Sequence, residues 1–178
     1  AHATADHDYA RFDCGRGRHR CRRRRGAVPA GDPQLLADKL YVVAYNGFLQ
    51  AMELRSGRVL WSREFSSYRG FTLTGSSIYL TDYRGFVHAL NRDNGEERWS
   101  SGMLENRGVT EAVVLGDYLV VGDGEGYLYF LGTESGELAA MLDIGNGGFY
   151  SAPVVVDDTL YIQARDGLVT AIRLPEAE

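Results

Sequence analysis

The chain has 178 residues, 44% of them hydrophobic, and a formal net charge of -5 at neutral pH. This length and composition are sufficient for a domain with a core of its own. The chain has no apolar run of about eighteen residues and opens with no charged-then-apolar signal segment, so we expect no membrane-spanning helix. Its 22 glycines and 11 tyrosines, with only 4 prolines and no sustained helical spacing, favour short strands joined by tight turns.

The charge is unevenly distributed along the chain. Residues 1–31 contain eight Arg and three Asp, whereas residues 32–178 contain 11 Lys and Arg against 21 Asp and Glu. An acidic domain repels phosphate backbones, so nucleic-acid binding would have to come from the arginine run Arg16 to Arg25. We predict no nucleic-acid partner.

Residues 1–31 form an atypical, Arg-rich N-terminal segment. The run CGRGRHRCRRRR contains both cysteines, Cys14 and Cys21, whose spacing fits neither a zinc knuckle nor a Cys-x-x-Cys redox pair. Two interpretations stay open: a GC-rich message translated in the wrong frame, and a basic tail kept disordered by charge repulsion. The rest of the chain has no cysteine, which is compatible with an oxidising compartment such as the periplasm.

A repeat of about forty residues runs through the remaining chain. Its markers are the glycines of predicted hairpin turns, Gly47, Gly85, Gly126 and Gly167, which are 38, 41 and 41 residues apart. At such a turn glycine adopts a positive φ that a side chain would resist. An alternating strand, the turn and a second strand recur in the segments 40–61, 78–99, 119–141 and 160–174.

This pattern predicts an all-β fold, a β-propeller with four antiparallel strands in each blade. Polar turns such as Ser56-Gly57 return the chain into a third strand, and Phe71–Thr74, Val109–Val114 and Ser151–Val156 supply the fourth strand of the neighbouring unit. We expect about four blades over residues 32–178.

Large side chains close the repeats at matching positions. Trp61 and Trp99 end the first two repeats, and Met141 ends the third. A residue that recurs once per blade serves a structural need more often than a single site does. We therefore predict that the two tryptophan rings fill the wedge between neighbouring blades, not that they stack on a ligand.

The repeats also resemble a known family. GFLQAMELRSGRVLW and GFVHALNRDNGEERW are similar to the quinoprotein-type propeller repeat, and VVGDGEGYLYFL and IQARDGLVTAI are similar to the C-terminal half of the BamB family of outer-membrane protein assembly factors. The resemblance covers residues 33–174. It implies an eight-bladed periplasmic lipoprotein of Gram-negative bacteria that binds the periplasmic domains of BamA, and also unfolded outer-membrane proteins, and helps to insert β-barrels into the outer membrane.

The resemblance leads to further expectations about this chain. Eight blades need more residues than it has, so we expect only the C-terminal blades of the ring. RFDC and RHRC around the cysteines match no lipobox, so we expect the lipid anchor to the outer membrane to be absent. Open edges on the first and last blades would then cause either aggregation or the pairing of two copies into one eight-bladed ring.

The resemblance also suggests where a partner binds. In the family, an Asp-x-Asp stretch before a proline contributes to the partner-binding surface, and that proline aligns best with Pro33, which here follows AVPAGD. Exposed loops add aromatic and arginine side chains of the kind enriched at interfaces. The predicted partner-binding residues are Asp32, Pro33, Tyr45, Asn46, Tyr83, Arg84 and Arg107.

We predict that the chain is not an enzyme and has no catalytic residue, metal or cofactor. Quinone-dependent dehydrogenases with this repeat need a planar stacking site and commonly an adjacent cysteine pair, and the sequence offers neither. The acidic turn at 122–126 lacks the alternating oxygen ligands of an EF-hand loop. The alternatives are a fragment of such a dehydrogenase and a propeller sensor domain of a larger signalling protein.

Overall fold

The computed structural model describes residues 31–44, 47–67, 69–145 and 147–175. Within these ranges the regular elements are strands, which form four antiparallel sheets in chain order. No helix in them is long and apolar enough to cross a membrane. This confirms the predicted all-β propeller fold with blades of antiparallel strands.

Each sheet is one blade, and its strands run from first to last as a simple meander. Blade 1 contains β1 (Gln34–Leu36), β2 (Lys39–Val43), β3 (Gly47–Glu53) and β4 (Val59–Phe65). Blade 2 contains β5 (Phe71–Leu73), β6 (Ser77–Thr81), β7 (Val87–Asn91) and β8 (Glu97–Ser101). Blade 3 contains β9 (Val113–Leu115), β10 (Tyr118–Gly122), β11 (Tyr127–Gly132) and β12 (Leu138–Asp143), and blade 4 contains β13 (Val154–Val156), β14 (Thr159–Gln163) and β15 (Val169–Arg173).

The first strands of three blades differ from the prediction by more than one residue. β1 was not predicted, because QLL precedes the first recognised repeat, yet it completes blade 1 by pairing with β2. β13 begins at Val154 and not at Ser151. β9 begins at Val113 and not at Val109, because Thr110 is engaged with the neighbouring strand. The Thr110 backbone N–H donates to the Gly122 carbonyl oxygen at 2.8 Å, and the Gly122 N–H donates to Thr110 Oγ1 at 3.1 Å.

Glycine is needed in the turn between the second and third strands where the connection to the next blade lies close to that turn. Gly126 has a φ of 105°, and a Cβ there would lie 2.6 Å from the carbonyl oxygen of Gly145. Gly85 and Gly167 have similar φ angles of 94° and 92°. Gly47 is the first residue of β3 and does not have a positive φ, so the expectation of one at this glycine was wrong. Its turn partner Asn46 lies outside the described residues.

The core lies between blades in three apolar clusters. Between blades 1 and 2, buried side chains of β2 and β3 meet those of β5, β6 and β7, among them Tyr41, Leu49, Phe71, Leu80 and Leu90. The clusters between blades 2 and 3 and between blades 3 and 4 repeat this arrangement around Tyr79 and Leu119, and around Phe130 and Leu160. Blade faces that pack in this way define a propeller, since each sheet is apolar on both sides.

Strand register places the large side chains that close the repeats. Ala51 lies opposite Trp61 and Ala89 lies opposite Trp99, each just before a bulge. In blade 3 the same register puts Ala140 opposite Phe130, so the assignment of Met141 to the tryptophan position was wrong. Blade 3 reverses the arrangement of blades 1 and 2, because its aromatic residue is on the third strand and its alanine is on the fourth.

The tryptophans pack against the following blade. The Trp61 ring lies against Gly95, and its Nε1 donates to the Arg92 carbonyl oxygen at 3.0 Å. The Trp99 ring lies against Gly136, and its Nε1 donates to the Thr133 carbonyl oxygen at 2.9 Å. Each ring therefore ties its blade to the polar turn of the next.

The outer surfaces of the first and last blades differ from the open edges expected at both. Blade 1 has its full set of four strands, so what it leaves uncovered is a sheet face. Blade 4 has three strands, and β15 has a ladder partner on one side only within the described chain. Its uncovered face carries Val154, Tyr161 and Val169, which are 57%, 42% and 61% exposed.

Candidate binding surface

The meander places two kinds of turn at opposite ends of the blades, because neighbouring strands are antiparallel. We call one end the hairpin end. It consists of the turns between second and third strands, at 82–86, 123–126 and 164–168, and of the described residues of the connections between β4 and β5, between β8 and β9 and between β12 and β13. The opposite end consists of the remaining turns.

The structure brings the predicted partner-binding residues to the hairpin end. Asp32 and Pro33 precede β1, Tyr83 and Arg84 occupy the β6–β7 turn, and Arg107 lies between β8 and β9. The two remaining predicted residues, Tyr45 and Asn46, lie outside the described residues. Pro33 also lines a cavity of about 350 Å³ with Val42, Phe48 and Gln50.

The Arg84 side chain is fixed by contacts with other residues of the same chain. Its Nη2 lies 2.6 Å from Glu105 Oε1, and its guanidinium lies over the Phe86 ring at 4.9 Å from the centroid. Its carbonyl oxygen accepts a hydrogen bond from the Asn106 N–H at 2.7 Å. Arg84 therefore joins the β6–β7 turn to the next connection, and part of its charge is already neutralised.

The Arg107 side chain makes more hydrogen bonds within the chain than that of Arg84. Its Nη1 donates to Tyr129 Oη at 2.8 Å, to Asp123 Oδ2 at 3.1 Å and to Glu125 Oε2 at 3.2 Å. The Asp123 side chain is fully buried, and its Oδ1 accepts the backbone N–H groups of Glu125, Gly126 and Tyr127, each at 2.9 Å. This cluster fixes the shape of the β10–β11 turn.

The contacts within this cluster change the pKa of two of its residues. Burial alone would raise the pKa of Asp123, but the N–H groups of Tyr127 and Glu125, together with Tyr129 and Arg107, hold that pKa below its ordinary value. Burial and the hydrogen bond to Asp123 raise the pKa of Tyr129 to about 12. Asp123 is thus a buried carboxylate that stays ionised because its acceptor positions are filled.

A second arginine cluster lies at the same end and was not predicted from the sequence. Arg69 Nη1 donates to the Tyr150 carbonyl oxygen at 3.2 Å, and the Arg165 guanidinium lies 3.4 Å from the centroid of the Tyr150 ring. These residues come from blade connections and a hairpin turn that are far apart in sequence. No local pattern joins them, so only the fold could have revealed the cluster.

The opposite end is acidic. Its exposed carboxylates include those of Asp38, Asp93, Asp117, Glu134 and Asp158. Lys39 Nζ lies 3.0 Å from Asp93, and this hydrogen bond lowers the pKa of Asp93 and raises that of Lys39. Within the described ranges, no group of three or more His, Cys, Asp and Glu side chains is placed to hold a metal ion.

A groove lies where the fourth strand of blade 4 would pack. It has a volume of about 660 Å³ and runs between the outer strand of blade 3 and β15. Its apolar lining includes Tyr118, Phe130, Ala140, Ile172 and Leu174. Because Ala140 stands in the tryptophan position, the fourth strand of blade 3 places no tryptophan ring in this wedge.

Four sequential meanders packed face to face, with polar groups gathered in loops at one end, define a segment of a β-propeller. The family model described as outer membrane protein assembly factor BamB matches residues 16–101 and 83–174. The two matches overlap at residues 83–101, and the first begins inside the Arg-rich segment. The chain therefore belongs to the family of the outer membrane protein assembly factor BamB.

Individual relatives agree with this assignment. The chain is 43% identical over 143 residues to the outer membrane protein assembly factor BamB of Shewanella oneidensis, which covers 80% of this chain and 36% of the relative. The crystal structure of BamB from Moraxella catarrhalis matches with a TM-score of 0.75 and 30% identity, over 81% of this chain and 43% of that one. The chain thus spans well under half the length of these relatives.

A more distant likeness concerns the fold alone. Quinohemoprotein alcohol dehydrogenase from Comamonas testosteroni matches with a TM-score of 0.63 but only 17% identity, over 78% of this chain and 29% of that one. At that identity the match shows that both contain propeller blades of this type.

Proposed function

We propose that these blades belong to a non-catalytic scaffold that assists the assembly of outer-membrane β-barrel proteins in the periplasm of a Gram-negative bacterium. The observation that carries the proposal is the 43% identity to an outer membrane protein assembly factor across 80% of the chain. The partners proposed are the periplasmic domains of BamA and unfolded outer-membrane proteins, as the repeat resemblance implies.

The hairpin end is the surface that we propose for partner contact. Tyr83 is 55% exposed beside Arg84, whose conformation is fixed by Glu105 and Phe86. A rigid aromatic or arginine side chain loses little conformational entropy on binding, which is why such residues dominate interfaces. Asp32 and Pro33 extend this surface toward blade 1, while Arg107 is a positioning residue because its donors serve Asp123, Glu125 and Tyr129.

Retention of BamA periplasmic domains tests the proposal. Residues 32–175 would be joined to the preceding blades of the Shewanella oneidensis relative, and the purified protein would be immobilised. We expect the BamA domains to be retained, and Tyr83→Ala to weaken retention more than Leu54→Ala. Leu54 is a matched control because it is 50% exposed at the opposite end. A folded chimera that retains no BamA domains would overturn the assignment.

The dehydrogenase alternative makes a different prediction. A quinone-dependent fragment would bring an absorbing cofactor through purification and would be stabilised by calcium. We expect neither signal, because the 17% identity to a quinohemoprotein carries no information beyond the fold. The sensor-domain alternative shares the repeats, and the family assignment argues against it.

We also propose that two copies of the chain, taken alone, associate through their uncovered blade surfaces. A second copy would pair a strand with the open side of β15. It would also bury the exposed face of blade 4 and the apolar groove beside Ala140. Two sets of four blades would then close a ring of eight.

A further inference from the structure

Four of the described arginines lie at the hairpin end. Two of them form ion pairs with carboxylates, and the other two do not. Arg84 forms an ion pair with Glu105, and Arg107 forms ion pairs with Asp123 and Glu125. Among the described residues, Arg69 and Arg165 have no carboxylate within 4.0 Å. These two guanidinium groups also meet at one residue, Tyr150. The charge of Arg69 acts in addition on the half-buried Glu111, where it opposes the rise in pKa that burial causes.

Tyr150 organises both guanidinium groups. Its carbonyl oxygen accepts from Arg69 Nη1 at 3.2 Å, which reaches from the connection before blade 2 to the connection before blade 4. Its ring, 62% exposed, stacks on the Arg165 guanidinium at 3.4 Å from the centroid. Stacking uses the flat face of a guanidinium and leaves its edge N–H groups available to an acceptor.

The backbone supports this arrangement. The Arg165 N–H donates to the Gly148 carbonyl oxygen at 3.1 Å, which ties the β14–β15 turn to the loop that presents Tyr150. Ser67 Oγ accepts the Arg69 N–H at 3.0 Å and donates to the buried Thr81 carbonyl oxygen at 2.7 Å, which fixes the start of the Arg69 segment. Both arginines therefore project from anchored backbone.

We propose that Arg69, Tyr150 and Arg165 form a binding site for a carboxylate side chain of an extended acidic polypeptide. Guanidinium N–H groups form strong, directional bonds to carboxylates, and the exposed tyrosine ring provides the apolar contact that an interface anchor needs. The site is distinct from the Tyr83 surface and does not depend on BamA being the partner.

The surrounding charges favour a single carboxylate over a polyanionic surface. Glu105, Glu125 and Asp166 lie in neighbouring loops of the same end, and Glu111 lies behind Gly70, next to Arg69. A lipid bilayer or a nucleic acid would bring its phosphates against these acids as well as the arginines. An extended peptide can place one carboxylate between Arg69 and Arg165 and keep the rest of its length clear.

Fluorescence anisotropy tests the site with the full chain and a labelled Thr-rich peptide that carries one central Glu. The comparison peptide has Gln in place of that Glu. We expect the Glu peptide to bind more tightly, the difference to shrink as salt is added, and Arg165→Gln to weaken binding about tenfold. Arg69→Gln should act in the same direction, with thermal unfolding used to confirm that both variants fold.

Arg58→Gln is the matched control, because Arg58 is an arginine that is 71% exposed but lies at the opposite end of the blades. We expect it to leave the affinity for the Glu peptide nearly unchanged. The proposal is overturned if the Glu and Gln peptides bind equally, or if Arg58→Gln weakens binding as much as Arg165→Gln. It is also overturned if anionic vesicles of phosphatidylglycerol bind through these arginines while the Glu peptide does not.

Discussion

The indole ring of Trp99 lies so close to Gly136 that a Cβ on this glycine would be 2.7 Å from the ring carbon Cζ3. Trp61 stands in the same relation to Gly95 one blade earlier. Glycine is therefore required in the polar turn for two reasons. Its φ is positive, 70° at both Gly95 and Gly136, and the tryptophan ring of the preceding blade leaves no room for a side chain. The contact makes neighbouring blades depend on each other for stability.

Gly136→Ala tests this dependence, with Gly57→Ala as the control. Both glycines have a positive φ, 70° and 68°, but a Cβ on Gly57 would meet nothing within 4 Å. Both variants bear the backbone strain of roughly 1–2 kcal/mol, while only Gly136→Ala displaces the Trp99 ring. We expect urea unfolding to show an additional loss of about 1–3 kcal/mol for Gly136→Ala. Equal losses would show that the ring moves aside without cost.

Two tyrosines at equivalent positions give a second paired prediction. Tyr79 Oη donates to the Thr133 carbonyl oxygen at 3.2 Å, whereas the buried Tyr41 hydroxyl has no hydrogen-bond partner in the described part of the chain. Tyr79→Phe should reduce the free energy of unfolding by about 1 kcal/mol. Tyr41→Phe should be neutral or stabilising, because it removes an unsatisfied polar group. Chemical unfolding of the two variants would contradict the account if Tyr41→Phe cost as much as Tyr79→Phe.

The buried Asp123 predicts a pH dependence of stability. Since its folded pKa lies below the unfolded value of about 3.9, ionised Asp123 stabilises the fold above that pH, and this contribution is lost as the pH falls through the folded pKa. Asp123→Asn should therefore be less stable at neutral pH by about 1–3 kcal/mol, and the gap should narrow in acid.

Asp166→Asn is the control for that measurement. Asp166 caps the corresponding turn of blade 4, but it is exposed and its Oδ1 accepts only the Leu168 N–H among described residues, at 3.0 Å. Thermal unfolding at neutral pH should show a smaller loss of stability for Asp166→Asn than for Asp123→Asn, because Asp166 makes fewer hydrogen bonds. A constant gap between Asp123→Asn and the parent chain at every pH would argue against the ionised, buried carboxylate.

The uncovered surface of blade 4 predicts self-association of the chain by itself. Size-exclusion chromatography with light scattering should show dimers or larger species. Val169→Lys combined with Ala171→Lys places charges on exposed positions of β15 and should shift the chain toward monomer without a large change in stability. A monodisperse monomer of the parent chain would rule out both ring closure by two copies and aggregation.

Much of the fold could be predicted from sequence because the information is local and repeated. Gly85 and Gly126 mark hairpins whose flanking strands alternate, and the repeat of 38 to 41 residues converts that pattern into blades. β1 was not predicted, because it precedes the first of the four aligned segments. Met141 was misplaced by one position, although the spacing of fourteen residues from turn glycine to tryptophan in the first two blades leads to Ala140.

The surface was less predictable, since its clusters depend on which loops the fold brings together. Tyr83 and Arg84 were found because aromatic and arginine residues occupied a recognisable turn. The sequence gives no sign that Arg84 is neutralised by Glu105, or that Arg69 reaches Tyr150, 81 residues away. Contacts of this kind follow from blade packing and leave no local pattern.

We propose that these blades function as part of an outer membrane protein assembly factor. The most direct test replaces the corresponding blades of the Shewanella oneidensis relative with residues 32–175 and expresses the chimera in a strain that lacks its own copy. The quantity to measure is the level of folded β-barrel proteins in the outer membrane. Restoration toward the normal level is the predicted result. A chimera that is folded, present at normal abundance and unable to raise that level would contradict the claim.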